Sequence, residues 1–585
     1  MGDRLINEGL KTIFVLLWLG ANVGYWIQVF WTYEFGPQYF YIRLIIGPGV
    51  SIAKACGACL NLNSMLILLP VCRNLISFLR GSCETNQLCR RSVRRQLDKN
   101  ITFHKTLAYM ICLLNIVHCI AHFFNFRNLY DHFNSCETYF PVGSPYTGIS
   151  CQLRDLPNKE GGTWINPVLY RNNALPFGFP LIEQGIIQIA GWSGVVLTLV
   201  FIIMFSSATE FIRRSYFETF WVTHHLFVIY FAMLLVHGVG GVIRSQSNLV
   251  EHNITTCSIQ PELWAPPGSQ PCPYPNFVKG SAASWKWVVG PIAIYILERF
   301  VRFIRSCQTV QVIKVVKHPS KVIELQMKKS GFKMLSGQYI FLKCPSLSHI
   351  QWHPFTLTSA PEDDFFSIHV RTVGDWTTDL AKAMGADGNT TTESTDLARV
   401  AVDGPFGTAS LDVFKYQAAI CVGAGIGVTP FASILRSIWH QSMMPDLELK
   451  LKKVYFFWIC PDTNAFEWFS EMLDALENHM IEQGKADFLK YNIYLTRGWS
   501  TKQAKNIYLQ EEEEVDAITG LRQKTNYGRP KWDDIFKMIA EENPGTSVGV
   551  FYCGPKILSQ VLHKCSNKNS NIRGGAKFFY NKENF

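Results

Sequence analysis

Six histidines lie within two long apolar stretches of the 585-residue chain, and they are the first residues whose types and spacing could do chemistry. In chain order they are His104, His118, His122, His224, His225 and His237. An ionisable side chain at membrane depth finds no partner in lipid, so a functional role is the first hypothesis. Hydrogen bonding between helices is the alternative for any one of them.

The histidines repeat at matched intervals. His104 and His118 are 14 residues apart, and His224 and His237 are 13 apart. At about 1.5 Å of rise per residue each interval spans about 20 Å, which defines two levels across a membrane. A facing pair of imidazoles at each level could hold a haem iron from both sides. Zinc would normally require more ligands, with cysteine or carboxylate among them.

Helical phase leaves the choice between His224 and His225 open. Fourteen residues are close to four turns, so His104 and His118 share one face. On an ideal helix His237 is about 140° out of phase with His224 and about 120° out of phase with His225. We therefore expect tilt, local distortion or a different ring reach in this helix.

The composition predicts a membrane half followed by a soluble half. Only 17% of the residues are charged, against about 25% in an ordinary soluble domain, and the shortage is confined to the first 300 residues. Six apolar stretches are near the roughly 20 residues that a membrane-spanning helix needs. They are 13–31, 45–69, 107–126, 182–204, 220–237 and 287–303. The second contains Lys54 and the sixth contains Glu298.

Basic residues follow the second, fourth and sixth stretches, which predicts that both termini are cytoplasmic. They are Arg73, Arg80, Arg90, Arg91, Arg94, Arg95, Lys99, Arg213, Arg214, Arg299, Arg302 and Arg305. The net charge of +10 is partly this belt, and no basic stripe indicates nucleic acid. Loops 127–180 and 239–285 then face outward. There a Cys257–Cys272 disulfide is permitted, and Asn253 begins a glycosylation sequon.

Short β-branched and aromatic runs begin near Cys307 and predict an antiparallel barrel. The segment HPFTLTSAP (353–361) lies among these strands, and a hairpin edge whose hydroxyls satisfy the backbone is one interpretation of it. Further runs at 453–460 and 549–555 alternate with helical segments, which predicts a doubly wound parallel sheet.

A glycine-rich turn follows a buried strand in residues 418–439. The turn is Gly423-Ala-Gly425-Ile-Gly427, and we expect Thr429 to cap a helix whose first residue is Pro430. Glycines let a backbone approach a pyrophosphate, and helix amides bind its oxygens. The turn departs from the GxGxxG fingerprint, because Val428 stands where the last glycine belongs.

Six features, in order, resemble the catalytic subunits of the superoxide-generating NADPH oxidases of the vertebrate phagocyte-type group. They are the two histidine pairs, HPFTLTSAP, VDGPFGTAS, VGAGIGVTPFASIL and the terminal NKENF. The resemblance implies a six-helix transmembrane bis-haem domain (1–306), a ferredoxin-reductase-like FAD-binding β-barrel (307–410) and an α/β NADPH-binding domain (411–585). It implies electron transfer from cytosolic NADPH through FAD and two b-type haems to oxygen on the outer side.

The resemblance also implies roles for individual residues. His104 with His224 would ligate the inner haem, and His118 with His237 the outer haem. His122 and Lys54 would lie where oxygen is reduced. The implied flavin-site residues are His353, Pro354, Phe355, Thr356, Ser359, Arg371 and the terminal Phe585. The implied nucleotide-site residues are Gly404, Pro405, Gly423, Gly425, Gly427, Thr429, Cys553, Gly554, Pro555 and, facing the 2′-phosphate, Arg529.

Two positions depart from the pattern of the family. Lys54 and Pro461 stand where relatives usually carry arginine. Lys54 keeps a positive charge but loses the two-point contact of a guanidinium, and Pro461 removes a charge that would face the NADPH phosphate, which bears on the affinity for NADPH.

The implied partners are a small transmembrane flavocytochrome subunit, cytosolic organiser and activator proteins, a Rac GTPase and membrane lipid. The implied location is the plasma membrane. Alternative functions are a ferric or cupric reductase of the same superfamily, and a proton channel or haem scaffold.

Overall fold

The computed structural model describes residues 4–85, 91–135, 139, 146, 148–165, 188–269, 271–318, 321–386, 392–393, 397–444, 449–461, 467–496, 515–516 and 519–583. The chain divides into two compact units. The helical unit comprises Val15–Cys72 and Ile101–Ile296. The sheet unit comprises Met1–Phe14, Arg73–Asn100 and Leu297–Phe585.

Helices dominate the first half of the chain because its apolar runs satisfy their backbone groups internally. They are α1 (Leu5–Phe35), α2 (Phe40–Ile46), α3 (Gly49–Ile67), α4 (Arg73–Thr85), α5 (Arg91–Leu97), α6 (Asn100–Ser135), α7 (Ile149–Asp155), α8 (Ile189–Ser207), α9 (Glu210–Ser215), α10 (Phe217–His224), α11 (Phe227–Gly238), α12 (Ile254–Cys257) and α13 (Ser284–Cys307).

Among the described residues, five helical segments are long and apolar enough to cross a membrane. They are Ile6–Phe35, Gly49–Val71, Asn100–His132, Ile189–Ser207 and Phe217–Gly238. These segments coincide with the first five predicted spans. Helix α13 occupies the place of the sixth, with Pro291 inside it, and its crossing of the membrane stays a prediction.

The second predicted span begins later than its hydropathy suggested. Gly47, with φ +79°, ends α2, and its N–H bonds to the carbonyl of Arg43. Pro48 follows, and α3 starts at Gly49. A left-handed glycine is a common helix stop, so the chain bends at Gly47 and Pro48 and the predicted stretch 45–69 is divided between the end of α2 and α3.

A small subdomain of the helical unit is built on four short strands. They are β1 (Arg244–Gln246), β2 (Trp264–Ala265), β3 (Cys272–Pro273) and β4 (Phe277–Lys279). Cys257 and Cys272 form a disulfide within it, as the sequence permitted. Asn253 of the predicted sequon is exposed at the start of α12, where its side chain accepts the N–H of Thr255.

The sheet unit begins its β-structure with two antiparallel sheets. Their strands are β5 (Gln311–His318), β6 (Val322–Lys328), β7 (Tyr339–Lys343), β8 (His353–Thr356), β9 (Phe366–Arg371), β10 (Thr392–Glu393) and β11 (Ala401–Phe406). The orders are β10-β5-β6-β9 and β11-β7-β8. One bridge, Leu357 to Ile368, joins the sheets, and both share a core that contains Leu325 and Ile340. The antiparallel pairing agrees with the prediction, and closure into a barrel stays a prediction.

A six-stranded parallel sheet completes the sheet unit. Its strands are β12 (Ala418–Ala424), β13 (Lys453–Cys460), β14 (Leu489–Leu495), β15 (Asn526–Tyr527), β16 (Ser547–Cys553) and β17 (Lys577–Lys582), in the order β15-β14-β13-β12-β16-β17. Helix α14 (Asp375–Ala383) lies between β9 and β10 of the antiparallel part, and the helices of the parallel part are α15 (Thr429–Ser442), α16 (Glu467–Glu482), α17 (Trp532–Glu542) and α18 (Lys556–Asn569). Separate hydrophobic cores cover its two faces, one containing Phe431 and the other Phe536, so the sheet is doubly wound.

Part of the basic segment 73–99 is buried in the sheet unit rather than displayed as a surface belt. Arg80 contacts Asp98 at 3.0 Å and Asp412 at 3.2 Å, and Arg94 contacts Asp412 at 3.4 Å. Arg80, Arg94 and Asp412 are almost fully buried. These ion pairs fasten α4 and α5 to the segment that precedes β12.

Candidate functional site

The two histidine pairs meet between α6 and the α10–α11 segment. The ring centroids of His104 and His224 are 6.2 Å apart, and those of His118 and His237 are 6.3 Å apart. All four side chains are half-buried. The pairs form in the same order along both segments, so these run parallel and place the pairs at two levels about 20 Å apart.

A break in the fifth spanning segment removes the phase conflict of an ideal helix. Helix α10 ends at His224 and α11 begins at Phe227. Across the break, the N–H groups of His225 and Leu226 bond three residues back, to the carbonyls of Val222 and Thr223, both at 3.1 Å. Such a tight turn changes the rotation per residue, so His224 and His237 can face the same partner helix.

His225 turns away from the pair. It is exposed, its Nδ1 donates to the carbonyl of Trp221 at 2.6 Å, and its ring lies 4.2 Å from the Trp221 ring, centroid to centroid. The structure therefore brings His224, and not His225, to His104.

Hydrogen bonds to α3 fix the protonation of two of the paired rings. His104 Nδ1 lies 2.9 Å from the carbonyl oxygen of Ile67, and His118 Nδ1 lies 2.9 Å from that of Ala53. A carbonyl can only accept, so each Nδ1 carries the proton and each Nε2 keeps its lone pair. Metal-bound histidines in proteins typically donate their second N–H in this way.

His237 has the same arrangement through a hydroxyl. Its Nδ1 lies 3.1 Å from Ser193 Oγ, and the Ser193 hydroxyl donates to the carbonyl of Ile189. The serine oxygen therefore accepts from His237 Nδ1, which again leaves the lone pair on Nε2. Neutral imidazoles that offer Nε2 in facing pairs fit the axial positions of a haem iron, so the residues present suit that group.

His122 and Lys54 lie near the His118–His237 pair. His122 is one turn beyond His118 on α6, and the two ring centroids are 4.5 Å apart. Lys54, on α3, is half-buried, and its Nζ lies 5.5 Å from the centroid of the Tyr33 ring. It interacts electrostatically with His118, His122 and His237. A positive charge is thus available beside this level of the bundle.

An aromatic stack marks the predicted flavin strand β8. The ring of His353 stacks on Trp376 with centroids 3.8 Å apart, and Phe355 is tilted by only 23° from the same indole at 6.1 Å. Pro354 is exposed beside them, and Thr356 is buried. Trp376 was not among the predicted site residues, although the segment GDWT (374–377) directly follows the next strand. Flat aromatic surfaces of this kind suit an isoalloxazine or adenine ring.

Ser359 and Arg371 occupy different surroundings from this stack. Ser359 is fully buried, its Oγ accepts the N–H of Ser367 at 2.9 Å, and its carbonyl accepts from Ser433 Oγ at 2.7 Å. Its hydroxyl therefore satisfies the backbone and links the antiparallel strands to α15. Arg371 ends β9 opposite Val322 and is exposed. Phe585 lies outside the described residues.

The glycine-rich turn has a different shape from the predicted cap. A 3-10 turn, Gly425–Val428, separates β12 from α15, and the helix already begins at Thr429 without a side-chain cap. The prediction that Thr429 caps this helix is wrong, because Val428 holds the capping position. Gly425 has φ +58°, and its carbonyl accepts the indole N–H of Trp458 at 3.1 Å.

The end of β16 packs directly against this turn. A Cβ on Gly427 would lie 2.4 Å from the carbonyl oxygen of Cys553, so only glycine fits there. Gly554 has φ +151°, and a Cβ on it would lie 2.7 Å from that of Ala424. Two tight turns thus meet at the carboxyl edge of a parallel sheet, where nucleotides bind in such folds.

The remaining predicted nucleotide residues lie near the same unit's sheet edges. Pro555 precedes α18, and Pro461 follows β13. Arg529 is exposed just after β15, three strands from β12, which is about 14 Å at 4.8 Å per strand. Gly404 and Pro405 lie in β11 and are joined by a cis peptide bond. Gly404 and Pro405 thus belong to the antiparallel sheet, whereas Arg529, Pro461 and Pro555 follow strands of the parallel sheet.

The chain terminus is held close to this sheet by Glu583. This carboxylate is buried and accepts from the backbone N–H of Ser410 at 2.7 Å and from its hydroxyl at 2.5 Å. Burial raises the pKa of Glu583 to about 7, despite these hydrogen bonds. Its own N–H donates to the carbonyl of Tyr552 at 2.9 Å, which fixes the residue beside β16.

The site combines three features: paired histidines in apolar helices, an aromatic stack on an antiparallel sheet, and a glycine-rich turn on a parallel sheet. Together they are typical of membrane-bound reductases. Three family models match the chain in the same order. They are "Ferric reductase like transmembrane component" (60–235), "FAD-binding domain" (307–410) and "Ferric reductase NAD binding domain" (416–567).

Relatives that match the chain over its full length show which family of membrane-bound reductases it belongs to. The chain is 47% identical to NADPH oxidase 3 of Homo sapiens, over 100% of both chains. It is 46% identical to NADPH oxidase 1 of Mus musculus, over 100% of this chain and 95% of that one. It is 39% identical to a superoxide-generating NADPH oxidase heavy chain of Dictyostelium discoideum, over 99% of this chain and 98% of that one. The chain belongs to the NADPH oxidase family.

Membership of this family establishes the reaction. The chain is an oxidoreductase that transfers electrons from NADPH across a membrane to molecular oxygen and produces superoxide. Its cofactors are FAD, NADPH and haem. The predicted family, activity and cofactors are confirmed.

Proposed function

We propose that His104 with His224, and His118 with His237, hold the inner and outer b-type haems of this oxidase. The single observation that supports this assignment most strongly is the meeting of both pairs at two levels, with the Nδ1 protons of three rings donated inside the protein. When bound, haem supplies a one-electron carrier at each level. The chain supplies the axial nitrogens, the ring orientation and an apolar surrounding.

The sheet unit provides the entry for electrons. His353, Phe355 and Trp376 offer the aromatic surface for the flavin, with Arg371 and the terminal Phe585 as further contacts. The turns at Gly425–Val428 and Cys553–Pro555 offer backbone N–H groups to the NADPH pyrophosphate. Arg529 offers a guanidinium for the 2′-phosphate. These residues position the nicotinamide nucleotide next to the flavin. The cofactors carry the electrons, so the transfer requires no acid or nucleophile from the protein.

His122 and Lys54 form the exit for electrons. His118 and His237 would hold the haem of the outer level from both sides, and His122 and Lys54 would then be the residues of this chain beside the oxygen that is reduced. The half-buried charge of Lys54 attracts the superoxide anion that results. The ammonium group of Lys54 is a point charge, whereas the guanidinium of an arginine offers a planar fork of N–H donors. Lys54 therefore attracts an anion without fixing the orientation of that anion.

The topology that this route requires has six spans, with α13 as the sixth and both termini cytoplasmic. The disulfide at Cys257–Cys272 and the exposed sequon at Asn253 support an outer location for the 239–285 loop. The domains are then 1–306, 307–410 and 411–585. We place the protein in the plasma membrane with a small transmembrane subunit, cytosolic organiser and activator proteins, and a Rac GTPase as partners.

Sealed vesicles with a known orientation test this proposal. NADPH supplied only to the face that carries the sheet unit is expected to yield superoxide, detected by reduction of cytochrome c, only in the opposite compartment. His237→Leu is expected to abolish the signal while NADPH reduction of added ferricyanide on the nucleotide side persists. Superoxide released on the NADPH side, or undiminished in His237→Leu, would contradict the route.

A further inference from the structure

A second histidine cluster lies in the sheet unit, on strands other than those that carry the nucleotide turns. His318 ends β5, Glu324 lies in the middle of β6, and His369 lies in β9. Glu324 is directly opposite His369, and His318 is opposite Val322, two residues from Glu324. Three neighbouring strands therefore bring these side chains to one patch of the sheet.

The patch lies on the face of the sheet that turns away from the hydrophobic core. On β6 and β9 the core residues alternate with the cluster, because successive side chains of a strand point to opposite faces. Leu325 and Ile368 belong to the core, while Glu324 and His369 belong to the cluster. The side chains of His318 and Glu324 are only 18% and 11% exposed.

The distances suit a shared ion. One ligand atom from each of the three residues lies within 4.8 Å of the other two. His318 Nε2 is 3.7 Å from Glu324 Oε2, and the two imidazole rings are stacked at 5.2 Å with a 21° angle between their planes. Ligands at about 2.1 Å from one tetrahedral zinc ion are about 3.4 Å apart, so small side-chain rotations complete the geometry.

Neighbouring polar groups orient two of the three ligands. Gln326 Nε2 donates to Glu324 Oε1 at 3.1 Å, which leaves Oε2 directed at His318. His369 Nδ1 lies 2.8 Å from the Thr358 hydroxyl, which lies 2.9 Å from the Ser367 hydroxyl. With Thr358 donating to Ser367, its oxygen accepts from His369 Nδ1 and the lone pair remains on Nε2. Such outer contacts are typical of metal-binding histidines.

We propose that His318, Glu324 and His369 form a binding site for one zinc-like divalent transition-metal ion, with water as the fourth ligand. Two imidazoles and one carboxylate with an open position are a known zinc donor set. The ion would fasten β5, β6 and β9 together on the face opposite the core. It would add a structural cation to the FAD-binding part of the chain, separate from haem iron and from the electron route.

Zinc content of the purified full-length oxidase tests the site. The protein is exposed to excess ZnCl₂, passed through a chelating resin and analysed by elemental mass spectrometry. We expect about one retained zinc per chain. Retention is expected to fall at least tenfold in Glu324→Gln, which keeps the size and hydrogen-bonding capacity of the side chain, and in His318→Gln/His369→Gln. The control is His440→Gln, because His440 also faces a carboxylate, Asp363 at 3.2 Å, and its zinc content should match that of the wild type.

A second readout guards against misfolded variants. Zinc is expected to raise the thermal midpoint followed by tryptophan fluorescence in the wild type and in His440→Gln, and to leave that of Glu324→Gln unchanged. Retention well below one zinc per chain in the wild type would overturn the proposal. So would equal retention in Glu324→Gln and the wild type, or an equal zinc-dependent rise in the midpoint of both.

Discussion

Gly427→Ala should disable the nucleotide end of the electron route while leaving the membrane end intact. The new Cβ would lie 2.4 Å from the carbonyl oxygen of Cys553 and 2.8 Å from its carbonyl carbon. Ordinary van der Waals contact needs about 3.4 Å or more, so the glycine turn and the end of β16 must separate by about 1 Å. These are the two turns that we assign to the NADPH pyrophosphate.

A displacement of about 1 Å in a positioning element can lower a rate by about 100-fold. We therefore expect kcat/KM for NADPH to fall by about that factor, which corresponds to about 2.7 kcal/mol of lost transition-state stabilisation. Haem reduction by dithionite does not use the nucleotide site, so its extent should remain that of the wild type.

The assay is steady-state superoxide release at varied NADPH, with the haem spectrum recorded on the same sample. Gly484→Ala is the control for general destabilisation, because Gly484 has φ +68° and a Cβ on it would meet no atom within 4 Å. Its kcat/KM should stay within about twofold of the wild type. A correctly folded Gly427→Ala enzyme with an unchanged kcat/KM would refute the assignment of this turn.

Three further variants test other parts of the sheet unit. Asp412→Asn removes the buried carboxylate that Arg94 contacts and one of the two that Arg80 contacts, and it should lower the free energy of unfolding by about 3–5 kcal/mol. Asp364→Asn, at an exposed pair, should leave the thermal midpoint unchanged. Because the pKa of Glu583 is raised to about 7 in the folded protein, its carboxyl ionises first in the unfolded chain, and wild-type stability falls as the pH rises from about 4.5 to 7. Glu583→Gln should therefore melt higher than the wild type at pH 8 and equally at pH 4, measured as thermal midpoints. Arg529→Gln should raise KM for NADPH about tenfold and leave KM for NADH unaltered, measured by steady-state kinetics.

The spacing of the histidines predicted the two levels of the bundle but not which ring turns inward. Rise along a helix is nearly constant, so intervals of 14 and 13 residues translate directly into depth. The rotation at His224 depends on the break after it, and the local sequence THHLF contains neither proline nor glycine to announce a break. Packing against α6 and α8, which no local pattern encodes, settles the choice between His224 and His225.

In the sheet unit too, features set by neighbouring residues could be predicted from the sequence, whereas features set by residues distant in the sequence could not. Short β-branched and aromatic runs located β5, β6, β7, β9, β12, β13 and β16, because buried strands favour such residues. Thr429 was mistaken for a cap because the 3-10 turn before it is held from elsewhere, by Trp458 and Cys553. The burial of Arg80 and Arg94 depends on Asp412, more than 300 residues away, so the basic segment resembled a solvated belt in the sequence.

The most direct test of the account compares the haem content of His224→Leu with that of its neighbour His225→Leu. Reduced-minus-oxidised spectra and haem-to-protein ratios are measured on purified protein, together with superoxide release. The account predicts that His225→Leu keeps both haems and its activity, because this ring faces away from His104. His224→Leu should lose about half of the b-type absorbance and all superoxide release. Loss of haem in His225→Leu with full retention in His224→Leu would contradict the assignment.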